Sequence, residues 1–100
     1  VIIAIVDFDT ATADRGAALT HLDSVCDEVR SMPGNISYRV FASREDETRV
    51  TVIHEWEDEE SFAGYMESDS FARSGKVLRP MMAGSLSSRR FRAELMETVA

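Results

Sequence analysis

The sequence runs to 100 residues, enough for one small domain near the size at which a single core holds without disulfides or metals. Hydrophobic residues make up 44% and charged residues 29%, which supports a buried core and a soluble surface. Eleven basic against 18 acidic residues give a net charge of −7, which argues against nucleic acid as a partner because phosphate binding needs a concentrated positive surface. No apolar run is long enough to span a bilayer. The leading VIIAIV is closed by Asp7 and Asp9, and it lacks the basic flank and cleavage site of a secretory signal, so no membrane partner is expected. The lone Cys26 can form neither an intrachain disulfide nor a thiolate metal site; it reads as a small buried thiol, and the cytoplasm is the expected setting.

Val1 to Phe8 is β-forming and apolar on both faces, as an interior strand covered on two sides would be. Asp9-Thr10-Ala11-Thr12 breaks it and offers Thr10 or Thr12 as a helix cap. From Ala13 to Met32, Ala18, Leu22, Val25, Val29 and Met32 keep helical spacing, with Leu19 and Cys26 widening the stripe. Arg15, Asp23, Asp27 and Arg30 face water on this helix, His21 reads as a surface residue, and Pro33-Gly34 stops it.

Asn35 to Ser43 alternates, with Ile36, Tyr38, Val40 and Ala42 on one face and Ser37, Arg39 and Phe41 on the other. A charged turn, Arg44-Glu45-Asp46-Glu47, leads into Thr48 to Trp56, which returns antiparallel as a hairpin. Val50, Val52, His54 and Trp56 share one face of that strand; Thr51, Ile53 and Glu55 share the other. The period then changes. Asp58 caps a short helix, Glu59 and Glu60 suit its positive end, and Phe62, Tyr65 and Met66 follow at helical spacing. Ser68 or Asp69 caps a second helical segment carrying Phe71, Val77, Leu78 and Met82, made irregular by Gly75 and Pro80 and ended by Gly84. Ser85 to Met96 reads as a long final strand, with Arg89-Arg90-Phe91-Arg92 as its polar face.

This order of elements predicts an α+β fold of one domain over residues 1–100: a ferredoxin-like sandwich, a four-stranded antiparallel sheet with helices on one face. The first strand is apolar on both faces, and Phe41 and Ile53 also point to the uncovered side. A bare apolar sheet face is best covered by the same face of a second copy, so a homodimer with two-fold symmetry is expected.

The strand-to-helix switch should bring His54, Trp56, Phe62 and Tyr65 over one patch of sheet, and function is expected there. His54 can serve as a general base near neutral pH, or as a core histidine satisfied by a carbonyl or carboxylate. Trp56 and Tyr65 can form a slot for a planar ligand or simply pack the corner. Tyr38 points into the same space, where core packing is its simpler role. Arg79 and Arg39 can anchor an oxyanion or stand solvated. The acids of Glu45 to Glu47 and Glu57 to Glu60 have no histidine at ligand spacing, so no metal is expected. No Ser/His/Asp set, phosphate-binding glycine loop or nucleotide fingerprint is present.

Three stretches carry a resemblance: Pro33-Gly34-Asn35-Ile36-Ser37-Tyr38, the strand end His54-Glu55-Trp56-Glu57-Asp58, and Phe62-Ala63-Gly64-Tyr65-Met66-Glu67-Ser68. Together with the order of elements over nearly the whole chain, they resemble the antibiotic biosynthesis monooxygenase family of small dimeric α+β barrels. The resemblance implies oxygenation of quinol- or anthrone-like aromatics without metal or flavin, the deprotonated substrate itself supplying electrons to dioxygen. Trp56 matches the family's pocket tryptophan. Anthrone-oxidising relatives have an asparagine four residues before it and a tyrosine six after, where this chain has Val52 and Phe62, and many relatives have a histidine at the position of Tyr65. Heme-degrading relatives use an Asn, Trp, His set, and no histidine follows His54 here, so that activity is not expected. The implied mechanism has Trp56 and Tyr65 hold the ring while His54 takes a proton. Such barrels also serve as non-catalytic ligand-binding or stress-response proteins and as cofactor-independent isomerases, which stand as alternatives.

Overall fold

The computed structural model describes all 100 residues. Strands β1 (Ile2–Asp9), β2 (Asn35–Ala42), β3 (Arg49–Trp56) and β4 (Ser87–Arg92) form one antiparallel sheet in the order β2-β3-β1-β4. Helices α1 (Arg15–Arg30), α2 (Glu59–Met66) and α3 (Asp69–Leu78) supply the second layer, and α3 runs on into a 3-10 turn at Arg79–Met81. This is the expected ferredoxin-like α+β arrangement. No helix is long and apolar enough to cross a membrane.

β1 occupies an interior position because both of its faces are apolar. It pairs with β3 from Ile2↔Trp56 to Asp9↔Arg49 and with β4 from Ile2↔Arg92 to Asp7↔Ser87. Residues opposite one another in a ladder share a face. The register therefore gathers Ile2, Ala4 and Phe8 with Val50, Val52, His54 and Trp56, all buried beneath the helices, while Thr51, Ile53 and Glu55 are only half-buried on the far side. The same register places Arg90 opposite Ala4 and Ser88 opposite Val6, on the helix side of the edge strand. α1 closes the core with Ala18, Leu22, Val25, Cys26 and Val29, the stripe its spacing predicts. Each large apolar side chain so buried contributes about 2 kcal/mol to the hydrophobic term.

The corner that follows β3 is pinned from two directions. Asp58 is the N-cap of α2, accepting from the Ser61 amide at 2.8 Å, and Gly34 accepts from the Glu57 amide at 2.8 Å. Gly34 has φ 78°, and a Cβ there would run into Ser61 Oγ, so only glycine lets the α1–β2 turn sit against the start of α2. At the start of α3 it is Ser68, not Asp69, that caps, through its hydroxyl and the Phe71 amide at 3.2 Å.

Three local expectations are corrected. Neither Thr10 nor Thr12 caps α1. Thr10 is buried in an isolated bridge to Met82, its hydroxyl donates to the Ala11 carbonyl at 2.8 Å, and Asp14 takes the N-cap position without a side-chain hydrogen bond. Arg15 and Arg30 do not simply face water. Arg15 donates to the Ser43 and Asp46 carbonyls at 3.1 and 2.8 Å, holding the β2–β3 turn, and Arg30 donates to the Tyr38 carbonyl at 3.1 and 2.8 Å. β4 spans Ser87–Arg92 rather than Ser85 to Met96. Beyond the Ala93 amide, which donates to the Val1 carbonyl at 2.8 Å, no strand lies alongside to continue the ladder.

Candidate functional site

Between the helix-facing side of the sheet and α2, α3 and the turn after α3 lies a cavity of about 280 Å³. Its inner wall is apolar, built from Val6, Phe8, Leu22, Val52, Phe71 and Leu78. Tyr38, His54, Phe62, Tyr65 and Arg79, all singled out from the sequence, line it as well. β3 delivers His54 by its alternation, and α2 delivers Phe62 and Tyr65 from one turn of helix. The rings form a continuous cluster: His54 lies 5.5 Å from Tyr38, 5.9 Å from Phe62 and 5.3 Å from Tyr65, and Tyr65 meets Phe71 at 5.2 Å.

Trp56 belongs to the cluster but not to the cavity wall. It is fully buried and stacks on the back of Tyr65 at 5.1 Å with the planes 27° apart. The expected slot between Trp56 and Tyr65 is therefore closed by their own stacking, and a ligand can meet only the far side of Tyr65. What Trp56 does touch is His54: its indole Nε1 donates to His54 Nδ1 at 2.8 Å.

That bond decides what the imidazole can do. An indole N–H only donates, so Nδ1 is the acceptor, and a neutral ring must carry its one proton on Nε2. The ring is neutral at physiological pH: burial, helped by the positive charge of Arg90, holds its pKa down at about 4. Nε2 has no protein acceptor and is not sealed in, and the ring lines the cavity. The site thus presents an N–H donor to whatever enters. This geometry is at odds with the base expected at His54, since the only lone pair on the ring is engaged by Trp56.

The two lining phenols are no better as bases at neutral pH. Burial raises the Tyr65 phenol, and burial together with neighbouring Tyr65 raises that of Tyr38 far beyond its ordinary value. No Asp or Glu lines the cavity, and no cluster of three or more His, Cys, Asp or Glu forms a metal-ligand set anywhere in the fold.

Two features escaped the sequence reading. Ser74 of α3 lines the cavity, and its Oγ lies 2.9 Å from Nε2 of His21, which is half-buried on α1 instead of free on the surface. Arg90, read as part of a strand's polar face, lines the cavity too and sits over the Phe62 ring at 5.2 Å. Arg39 lies away from the site, opposite Ile53 on the face without helices.

The whole chain is similar in shape to proteins already solved. A candidate antibiotic biosynthesis monooxygenase from Deinococcus radiodurans superposes with a TM-score of 0.91 at 10% identity, covering 100% of this chain and 99% of that one. Similarly named proteins from Caulobacter crescentus (TM-score 0.88, 18% identity, 94% of this chain and 90% of that one) and Nitrosomonas europaea (0.87, 16%, 93% and 98%) share the fold. At such identities the likeness speaks for the fold alone. Among curated protein sequences none matches significantly. The family model for antibiotic biosynthesis monooxygenase, however, matches residues 1–76, from β1 through most of α3, and on that match the chain belongs to the antibiotic biosynthesis monooxygenase family.

Proposed function

We propose that the protein is a cofactor-independent monooxygenase acting on a small electron-rich aromatic of the quinol or anthrone kind. The observation that carries this reading is the Trp56–His54 hydrogen bond, which leaves a fixed Nε2–H donor opening onto an aromatic-walled cavity. Such a donor stabilises a phenolate or enolate oxygen as charge develops on it, and a buried site makes the interaction stronger than it would be in water. Tyr65 and Phe62 supply ring faces for the substrate. Trp56 acts through His54, as a positioning residue.

The proton leaves by another route. With Ser74 donating to His21, a proton taken from the substrate by the Ser74 oxygen is matched by one passed to His21 Nε2, and from that half-buried ring to solvent. For a methylene flanked by aromatic rings, the resulting carbanion gives an electron to dioxygen and the radical pair closes to a peroxide. Loss of water then leaves a carbonyl. One oxygen atom enters the product, the other leaves as water, and the substrate supplies all the electrons.

An oxygen electrode tests this with dithranol, an anthrone, and menadiol, a quinol. Uptake above spontaneous autoxidation is expected in metal-chelated buffer. His54→Ala should lose about a hundredfold in kcat, and His21→Gln should slow the anthrone, whose carbon acid is weak, more than the quinol. Oxygen use at the uncatalysed rate with both compounds would overturn the assignment in favour of a ligand-binding barrel, and full activity in His54→Ala would overturn the donor role of His54. An isomerase would consume no oxygen.

A second copy is the partner we propose for the bare sheet face. Ile3, Ile5 and Ile53 are half-buried there without a covering layer, and Phe41 and Phe91 are each 44% exposed. Sedimentation should give a dimer that Phe41→Asp with Ile53→Asp converts to monomer; a monomeric wild-type protein would rule it out.

A further inference from the structure

The chain is acidic, with 18 carboxylate side chains against 11 basic ones, yet the charged groups that line the cavity beneath α2 and α3 are two arginines and no acid. Neither Arg79 nor Arg90 belongs to any of the four ion pairs, which join Arg49 to Asp9, Arg73 to Glu28, Arg89 to Asp7 and Arg92 to Glu59. Both are exposed residues whose side chains reach the cavity. The Arg79 guanidinium folds back over Gly75, in van der Waals reach of where a Cβ would stand. Arg90 projects from the helix side of β4, lies over Phe62, and has only a long contact to Ser88 Oγ at 3.4 Å. The two come from different elements, the turn after α3 and the edge strand, and both line the one cavity. For Arg90, cation–π contact leaves the terminal guanidinium N–H donors free for an anion.

We propose that this cavity takes an aromatic acid: a ligand whose one or two fused rings fill the apolar interior while a carboxylate is held by Arg79 and Arg90. A guanidinium matches a carboxylate in bidentate geometry, and two of them without competing acids form a strong local preference for a permanent anion over a neutral quinol. The hydroxyl of Ser88, also in the lining, can donate to the same carboxylate. The proposal deepens the oxygenase reading by naming the substrate class, and it rests on that reading for chemistry but not for binding.

Its test therefore uses probes that do not react with oxygen. Isothermal titration calorimetry of the wild-type protein compares naphthoate with naphthamide, which has nearly the same shape but no charge. Naphthoate should bind at least about tenfold more tightly, and added salt should weaken naphthoate alone. In Arg79→Gln/Arg90→Gln the preference should vanish while naphthamide affinity stays the same, and Arg90→Lys should restore part of it. Equal affinity for the two probes, no binding of either, or a preference that survives the double substitution would overturn the proposal. Oxygen uptake is not read, so failure of the oxygenase assignment leaves this result standing, and the reverse holds as well.

Discussion

Acidifying the protein from neutrality to below pH 4 is expected to cost the folded state about 3 kcal/mol through His54 alone. Burial lowers its pKa from 6.5 to about 4, so between these values the unfolded chain binds a proton that the native protein refuses. Stability therefore rises with pH across this window and is lost as pH falls through it. The lowered carboxyls of Asp9, Asp46 and Asp58, each held down by hydrogen bonds to its charged form, act in the same direction but only below their ordinary value of 3.8. The two contributions separate by range. Urea denaturation at a series of pH values should show the slope, and His54→Gln should flatten it between 6.5 and 4. A variant with the same slope as the wild type would mean that the imidazole is not excluded from protonation by burial.

Replacing Trp56 is expected to have the second large effect, and the choice of replacement separates its two roles. Trp56→Ala removes a fully buried indole and should cost about 3–5 kcal/mol, a large share of the stability of a domain this size. Trp56→Phe keeps most of the packing and deletes the N–H, at about 2 kcal/mol for the smaller ring and the lost bond. Freed from its donor, His54 Nδ1 can then carry the proton, and the ring divides between tautomers. Nitrogen NMR should find the wild-type imidazole with its proton on Nε2 and the variant mixed. On a turned-over substrate kcat should fall by about tenfold with little change in KM, since an interaction made with developing charge has been weakened. A wild-type spectrum with the proton on Nδ1 would sink the donor role of His54.

The architecture was legible because each element carries its own period. The alternation of Val50, Val52, His54 and Trp56 is the buried face of β3, residue for residue, and the stripe from Ala18 to Val29 is the buried face of α1. The site was legible in its membership and less so in its roles. His54 and Trp56 on one strand face were foreseeable; that the indole would turn to the imidazole and stack behind Tyr65 depends on side-chain torsions, which periodicity does not contain. Arg90 looked like surface because a run of arginines on a strand has two faces, and only the pairing of Arg90 with Ala4 fixes which of them meets the helices. The His21–Ser74 contact joins residues 53 positions apart on two helices and leaves no local signature. The overlong reading of β4 has a simpler cause: strand propensity sets no endpoint where the neighbouring strand stops.

The placement of Trp56 has a practical consequence. It is the only tryptophan in the chain, sealed from water, with its N–H committed to the imidazole. Tryptophan emission from this protein therefore comes from a single point one hydrogen bond behind the reactive surface. A charge arriving on His54 or a guest pressing on Tyr65 registers as a change in its colour or yield, and no label needs to be attached to watch either event.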